Sequence, residues 1–98
     1  MAISITVDPP TGNITVDPTV AYFHPGNLVT WDVVNGTNLT ISFKANSPFT
    51  QVTLQGPGNV EQGIPQNSPL GVRYHYSVSA IVGGKTYVVP GCPEIVIE

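Results

Sequence analysis

Few side chains in this chain can do chemistry beyond hydrogen bonding: His24, His75, Cys92, Met1 and six carboxylates. By type, the first four match the ligand inventory of a copper electron-transfer site, which needs a thiolate and two imidazoles near one plane with a weak axial ligand. Their placement argues against such a site. His24 falls in a Pro-Gly turn, His75 in a strand-like run and Cys92 between Pro90 and Pro93, while Met1 is the initiator. Copper held by His24, His75 and Cys92 is therefore the second reading. The first expects no metal and no cofactor, with His24 as a turn residue and Cys92 as a small thiol without a disulfide partner.

Other chemistries find less. Nucleophilic catalysis requires a Ser or Cys beside a His that a carboxylate orients, and no G-x-S-x-G elbow, P-loop, dinucleotide fingerprint or zinc spacing occurs. Asp8, Asp17 and Asp32 are the only acids in the first half. Asp8 and Asp17 each precede a proline, where a short polar side chain bonds local backbone and finishes a turn; Asp32 reads as a solvated strand residue. Asn13-Ile14-Thr15, Asn35-Gly36-Thr37 and Asn38-Leu39-Thr40 match the glycosylation sequon, which a chain this rich in Asn and Thr shows by composition alone. The chain reads as non-enzymatic.

Charge narrows the partners. Only 9% of the 98 residues are charged and the net charge is −3, with Lys44, Arg73 and Lys85 the only basic residues. Phosphate backbones and anionic bilayers find nothing to hold, so nucleic acid and membrane surfaces are excluded as partners. Thr, Ser, Asn and Gln must cover the outer faces, leaving little charge repulsion to keep copies apart. Self-association or protein binding is the expected mode of action. No stretch is long enough to span a bilayer. No positive n-region or apolar h-region precedes Asp8-Pro9-Pro10, so no signal peptide is visible and the sequence as written reads as cytoplasmic.

The elements that must position these residues are short strands. Ten Gly and ten Pro punctuate runs of Val, Ile, Thr and Tyr, and no helix-period segment survives between them. One domain over residues 1–98 is expected, an all-β Greek-key antiparallel sandwich of about seven to eight strands. Ile3, Ile5 and Val7 alternate with Ser4 and Thr6. Ile5-Thr6-Val7-Asp8-Pro9 returns as Ile14-Thr15-Val16-Asp17-Pro18, two similar strand ends stopped where proline removes a ladder donor. A short strand over 20–23 follows, then His24-Pro25-Gly26-Asn27, with Pro and Gly at the centre of a type II turn. Val29, Trp31 and Val33 share one face of the next strand, and Trp31 is the expected centre of the core.

Leu39, Ile41 and Phe43 repeat the alternation; 51–54 reads as a weaker strand and 55–71 as a long loop. Val72 to Val82 is the longest strand, with Tyr74, Tyr76, Val78 and Ala80 on one face and Arg73, His75, Ser77 and Ser79 on the other. Gly83-Gly84 turns the chain into 85–89. After Pro90-Gly91-Cys92-Pro93, residues 95–97 close the last strand. Pro9, Pro10, Pro18 and Pro93 stand where they would limit unwanted edge pairing.

Pro25-Gly26-Asn27-Leu28-Val29-Thr30-Trp31 resembles the turn and strand, often written G-D-x-V-x-W, of the cupredoxins, the sandwich family that includes plastocyanin and azurin. Asn35 sits where that family often has Asn, and Tyr74-His75-Tyr76-Ser77-Val78 is similar to its late strand. The resemblance implies a cupredoxin-like fold, with an immunoglobulin-like sandwich as the alternative. It does not carry copper over: Thr37 and Asn38 stand where copper-binding members place their first His, Val78 lies near the expected Cys, and 79–84 supplies no His or Met. The leading expectation is a cupredoxin-like module without a metal site. Its partner contacts are expected from exposed loop residues His24, Asn27, Gln62, Gln66 and Asn67, since loops carry recognition without core duties.

Overall fold

The structure is a computed structural model that describes residues 2–44, 46–89 and 93–98. Ten strands run in chain order as β1 (Ala2–Asp8), β2 (Asn13–Asp17), β3 (Val20–Phe23), β4 (Leu28–Val33), β5 (Thr37–Phe43), β6 (Thr53–Gly56), β7 (Asn59–Gly63), β8 (Arg73–Val82), β9 (Lys85–Val89) and β10 (Glu94–Ile97). They form a sandwich of a four-stranded sheet, β2-β1-β4-β7, and a six-stranded sheet, β3-β10-β8-β5-β6 with β9 also paired to β8.

The repeated pentapeptides pair with each other. Ile5 stands opposite Val16 and Val7 opposite Ile14, so the two copies form an antiparallel hairpin. Its turn is closed by Asp8, whose carbonyl accepts from the Gly12 N–H at 2.7 Å and whose carboxylate accepts from Thr11 Oγ1 at 2.7 Å. The second copy ends at Asp17, after which the chain leaves the four-stranded sheet and enters the six-stranded one as β3. That crossover creates two parallel pairings within an otherwise antiparallel sandwich, β1 with β4 and β3 with β10.

Strand count and one boundary differ from the sequence reading. Residues 55–71 are not one long loop, because Gln55 and Gly56 finish β6 and residues 59–63 form β7 against β4, with Val60 opposite Trp31. A five-residue segment with one buried apolar side chain, Val60, has too little alternation to be recognised by itself. The turn that carries the chain from β6 in one sheet to β7 in the other is so tight that a Cβ on Gly56 would lie 1.9 Å from the Asn59 carbonyl oxygen. Pro93 is not an edge guard. It is buried, its carbonyl accepts from Tyr76 N–H at 3.0 Å, and it leads into β10 inside the sheet.

The core lies between the sheets, and Trp31 is fully buried at its centre as expected. Its ring meets Phe49 and Tyr76 edge to face, with centroids 6.0 and 5.7 Å apart, and Phe43 completes the group at 5.4 Å from Tyr76. Such contacts add roughly 0.5–1.5 kcal/mol each beyond area burial. Both polar atoms of the central pair, Trp31 Nε1 and Tyr76 Oη, are buried without a hydrogen-bond partner among the described residues. Burial pushes the Tyr76 phenol up to about 12, against a smaller opposing pull from Trp31.

Candidate functional site

The turn from His24 to Asn27 is built as its sequence demands. Gly26 has φ +88° and the Asn27 N–H donates to the His24 carbonyl at 3.1 Å. The Asn27 side chain closes the same turn by accepting the His24 N–H at 2.8 Å. Reciprocal backbone bonds then tie the turn to the segment after β7: Gly26 N–H to the Ile64 carbonyl and Ile64 N–H to the Asn27 carbonyl, both 2.8 Å. Gln66 lies directly over Gly26, where an added Cβ would fall 2.5 Å from Nε2.

Four of the five residues expected to contact a partner therefore gather at one end of the sandwich. His24 and Asn27 form the turn, Gln66 covers it and exposed Asn67 follows. Gln62 lies on β7 two residues before Ile64, half-buried and opposite Val29. Nothing in the sequence links Asn27 to Ile64, since only the pairing of β4 with β7 brings them together.

His75 lies on the outer face of β8, where the alternation placed it. It has a partner the sequence reading missed. Glu94 stands opposite His75 in the β8–β10 register, and its carboxylate forms an ion pair with Arg73 and lies 3.3 Å from His75 Nε2. Glu94 is the one buried charged side chain among the described residues, at 8% exposure. The same face carries Val20 opposite Glu94, and Tyr22 opposite Val96, which is opposite Arg73. Val20 and Tyr22 are exposed on β3, the terminal strand of the sheet.

These registers decide how the metal-ligand candidates relate. His24 Nδ1 sits 2.7 Å from the main-chain oxygen of Glu98. An oxygen of that kind only accepts, so the Nδ1 proton is held there and Nε2 is the nitrogen left to bind anything else. His75 sits beside Glu94, four residues before Glu98 along extended chain, a separation of about 13 Å. One ion cannot take both imidazoles at bonding distances of about 2 Å. Among the described residues no group of three His, Cys, Asp or Glu side chains converges; Cys92 and Met1 lie outside the described residues.

No protein-family model and no curated protein sequence matches the chain. A solved structure does: the reduced Cu(I) form, at pH 4, of an amicyanin variant overlays with a TM-score of 0.54 at 15% identity, covering 99% of this chain and 82% of that one. The fold is cupredoxin-like. The likeness is one of architecture and spans the whole sandwich.

Within this cupredoxin-like sandwich the residues that carried the resemblance hold structural positions. Pro25 to Trp31 make the turn and the first part of β4. Asn35, just past β4, bonds both main-chain groups of Val7, accepting from its N–H at 3.0 Å and donating to its carbonyl at 2.5 Å. All three sequon asparagines are exposed, but among the described residues only Asn35 has its amide engaged with the main chain, at Val7. Thr37 and Asn38 open β5, and Asn38 takes φ +54°. No helix is present that is long and apolar enough to cross a membrane among the described residues.

Proposed function

We propose that this cupredoxin-like domain is a non-enzymatic module that acts through its surface, by self-association or by binding a protein partner. One observation carries the reading: among the described residues β3 ends its sheet with no strand beyond it, and presents Val20 at 36% and Tyr22 at 50% exposure on a chain with few charges. An uncovered strand edge offers main-chain donors and acceptors to another strand, and alternate side chains supply the grip. Two copies meeting antiparallel about Ala21 would set Tyr22 of each against Val20 of the other, a self-complementary arrangement. Asp17 and His24 lie beyond the ends of that contact, and no charged side chain interrupts it.

Native mass spectrometry over a concentration series, with and without copper, tests the reading. The expected result is a metal-free dimer that the Tyr22→Lys variant shifts to monomer. A chain that stays monomeric at every concentration overturns the self-association form and leaves the protein-binding form, for which Tyr22→Lys must weaken capture of the partner. One tightly held copper per chain overturns the module reading altogether.

A further inference from the structure

The outer face of the six-stranded sheet carries a groove of about 630 Å³, remote from β3, between β6 on one side and β9 on the other. Its polar lining consists of Asn38, Thr40, Gln55, Ser79 and Thr86, with Ile81 and Pro57 giving apolar surface. Register arranges three of these in a row. Ser79 on β8 is opposite Thr40 on β5, which is opposite Gln55 on β6, so two hydroxyls and an amide cross three neighbouring strands on one face. Adjacent strands stand about 4.8 Å apart, close to the span of one pyranose ring.

Two properties of this row point to a ligand class. None of the nine lining residues is charged, although the sheet carries Arg73, His75 and Glu94 further along the same face. An anionic or cationic ligand would enter without a counter-charge. The side chains of Asn38, Thr40, Gln55, Ser79 and Thr86 also make no hydrogen bond to other described residues, whereas neighbouring Thr37 donates to the Ile81 carbonyl. Their donors and acceptors are available to a ligand in the groove. Hydroxyls that both donate and accept, spaced along a neutral chain, satisfy such a lining. The volume also falls within the roughly 300–1,000 Å³ of small-ligand sites.

We infer that this groove binds a neutral oligosaccharide, laid across β8, β5 and β6 with its hydroxyls on Ser79, Thr40 and Gln55 and its apolar ring face toward Ile81 and Pro57. The inference uses none of the β3 edge and stands or falls apart from the self-association reading. No aromatic ring stands in the lining to stack on a sugar, so hydrogen bonds to the hydroxyls and the amide must carry the binding.

The test is a chemical-shift titration of the full chain with maltohexaose, cellohexaose and fully N-acetylated chitohexaose, and with trigalacturonate as the charged control. At least one neutral hexasaccharide is expected to shift the backbone signals of 38–40, 55–57, 79–81 and 86, with trigalacturonate at least tenfold weaker. Thr40→Val keeps the side-chain shape and removes the hydroxyl, and Gln55→Ala removes the amide from an exposed edge position; each should weaken binding about tenfold. Thr15→Val, on the other sheet, should change nothing. The inference is overturned if none of the three neutral probes shifts these signals, if the shifts fall elsewhere on the molecule, or if trigalacturonate binds as tightly.

Discussion

The Asn35 side chain spans 28 positions of sequence to bond both the N–H and the carbonyl of Val7. A side-chain amide is the group that can imitate a paired strand residue in this way, offering one acceptor and one donor in a plane. It extends the parallel β1–β4 pairing past the point where β4 itself has ended. Asn35→Ala leaves two main-chain groups of Val7, a 2%-exposed residue, without partners. The expected loss is about 2–3 kcal/mol, measured as a shift in the urea midpoint at unchanged slope. A loss below about 0.5 kcal/mol would mean that water replaces the amide without cost.

Tyr76 and Trp31 make opposite predictions on the two sides of one contact. Tyr76→Phe removes a buried hydroxyl that has no partner and is expected to be neutral or to stabilise by up to about 1 kcal/mol. Trp31→Ala empties the centre of the core and is expected to cost about 3–5 kcal/mol, enough to unfold a domain of this size. Thermal melts of the two variants decide both.

Alkaline pH tests the burial of Tyr76. Its folded pKa is raised from 10.0 to about 12 because burial disfavours the phenolate. The sign follows: below pH 10 the phenol is neutral in both folded and unfolded chains, so its share of the stability is intact. As pH rises from about 10 to about 12 the unfolded chain ionises first and stability falls, by about 2–3 kcal/mol in total. Urea melts across that range should show this loss in the parent chain and lack it in Tyr76→Phe.

Glu94 depends on its neighbours. Its carboxylate is nearly buried, paired with Arg73 and 3.3 Å from His75 Nε2, both partners about half exposed. Arg73→Met keeps the apolar stem over Val96 and removes the guanidinium, leaving a desolvated carboxylate with one partner. Because the Arg73 side chain is 55% exposed and screened, the expected cost is about 1 kcal/mol rather than the several expected of a fully buried pair. Glu94→Gln, which no longer demands a counter-charge, should be less damaging in the Arg73→Met background than in the parent, a coupling readable in a double-mutant cycle.

Copper titration checks the separation of the imidazoles. Since His24 and His75 stand at opposite ends of β10, any weak copper uptake at one is independent of the other. His24→Ala and His75→Ala should each change binding additively. Abolition of all binding by either single substitution would require one shared site and would contradict the registers.

The sequence by itself determined that this is a β-sandwich, because alternation and punctuation are local. Ile3, Ile5 and Val7, the Leu39-Ile41-Phe43 set and the long run through Tyr74 and Tyr76 each declare a face without help from the rest of the chain, and Trp31 was legible as the core centre for the same reason. The turn at His24 was equally legible, since Pro and Gly fix its dihedrals locally. Pairings between distant segments were decided only by the tertiary structure. Val60 makes β7 a strand because Trp31 is across from it; Glu94 becomes a buried carboxylate because β10 lies between β3 and β8; Gln66 reaches the His24 turn because Ile64 bonds Gly26 and Asn27; and Ser79, Thr40 and Gln55 form one row only once three strands are in register. Each of these depends on contacts between residues far apart in the chain, and a pattern of period two says which face a residue takes but not what stands opposite it.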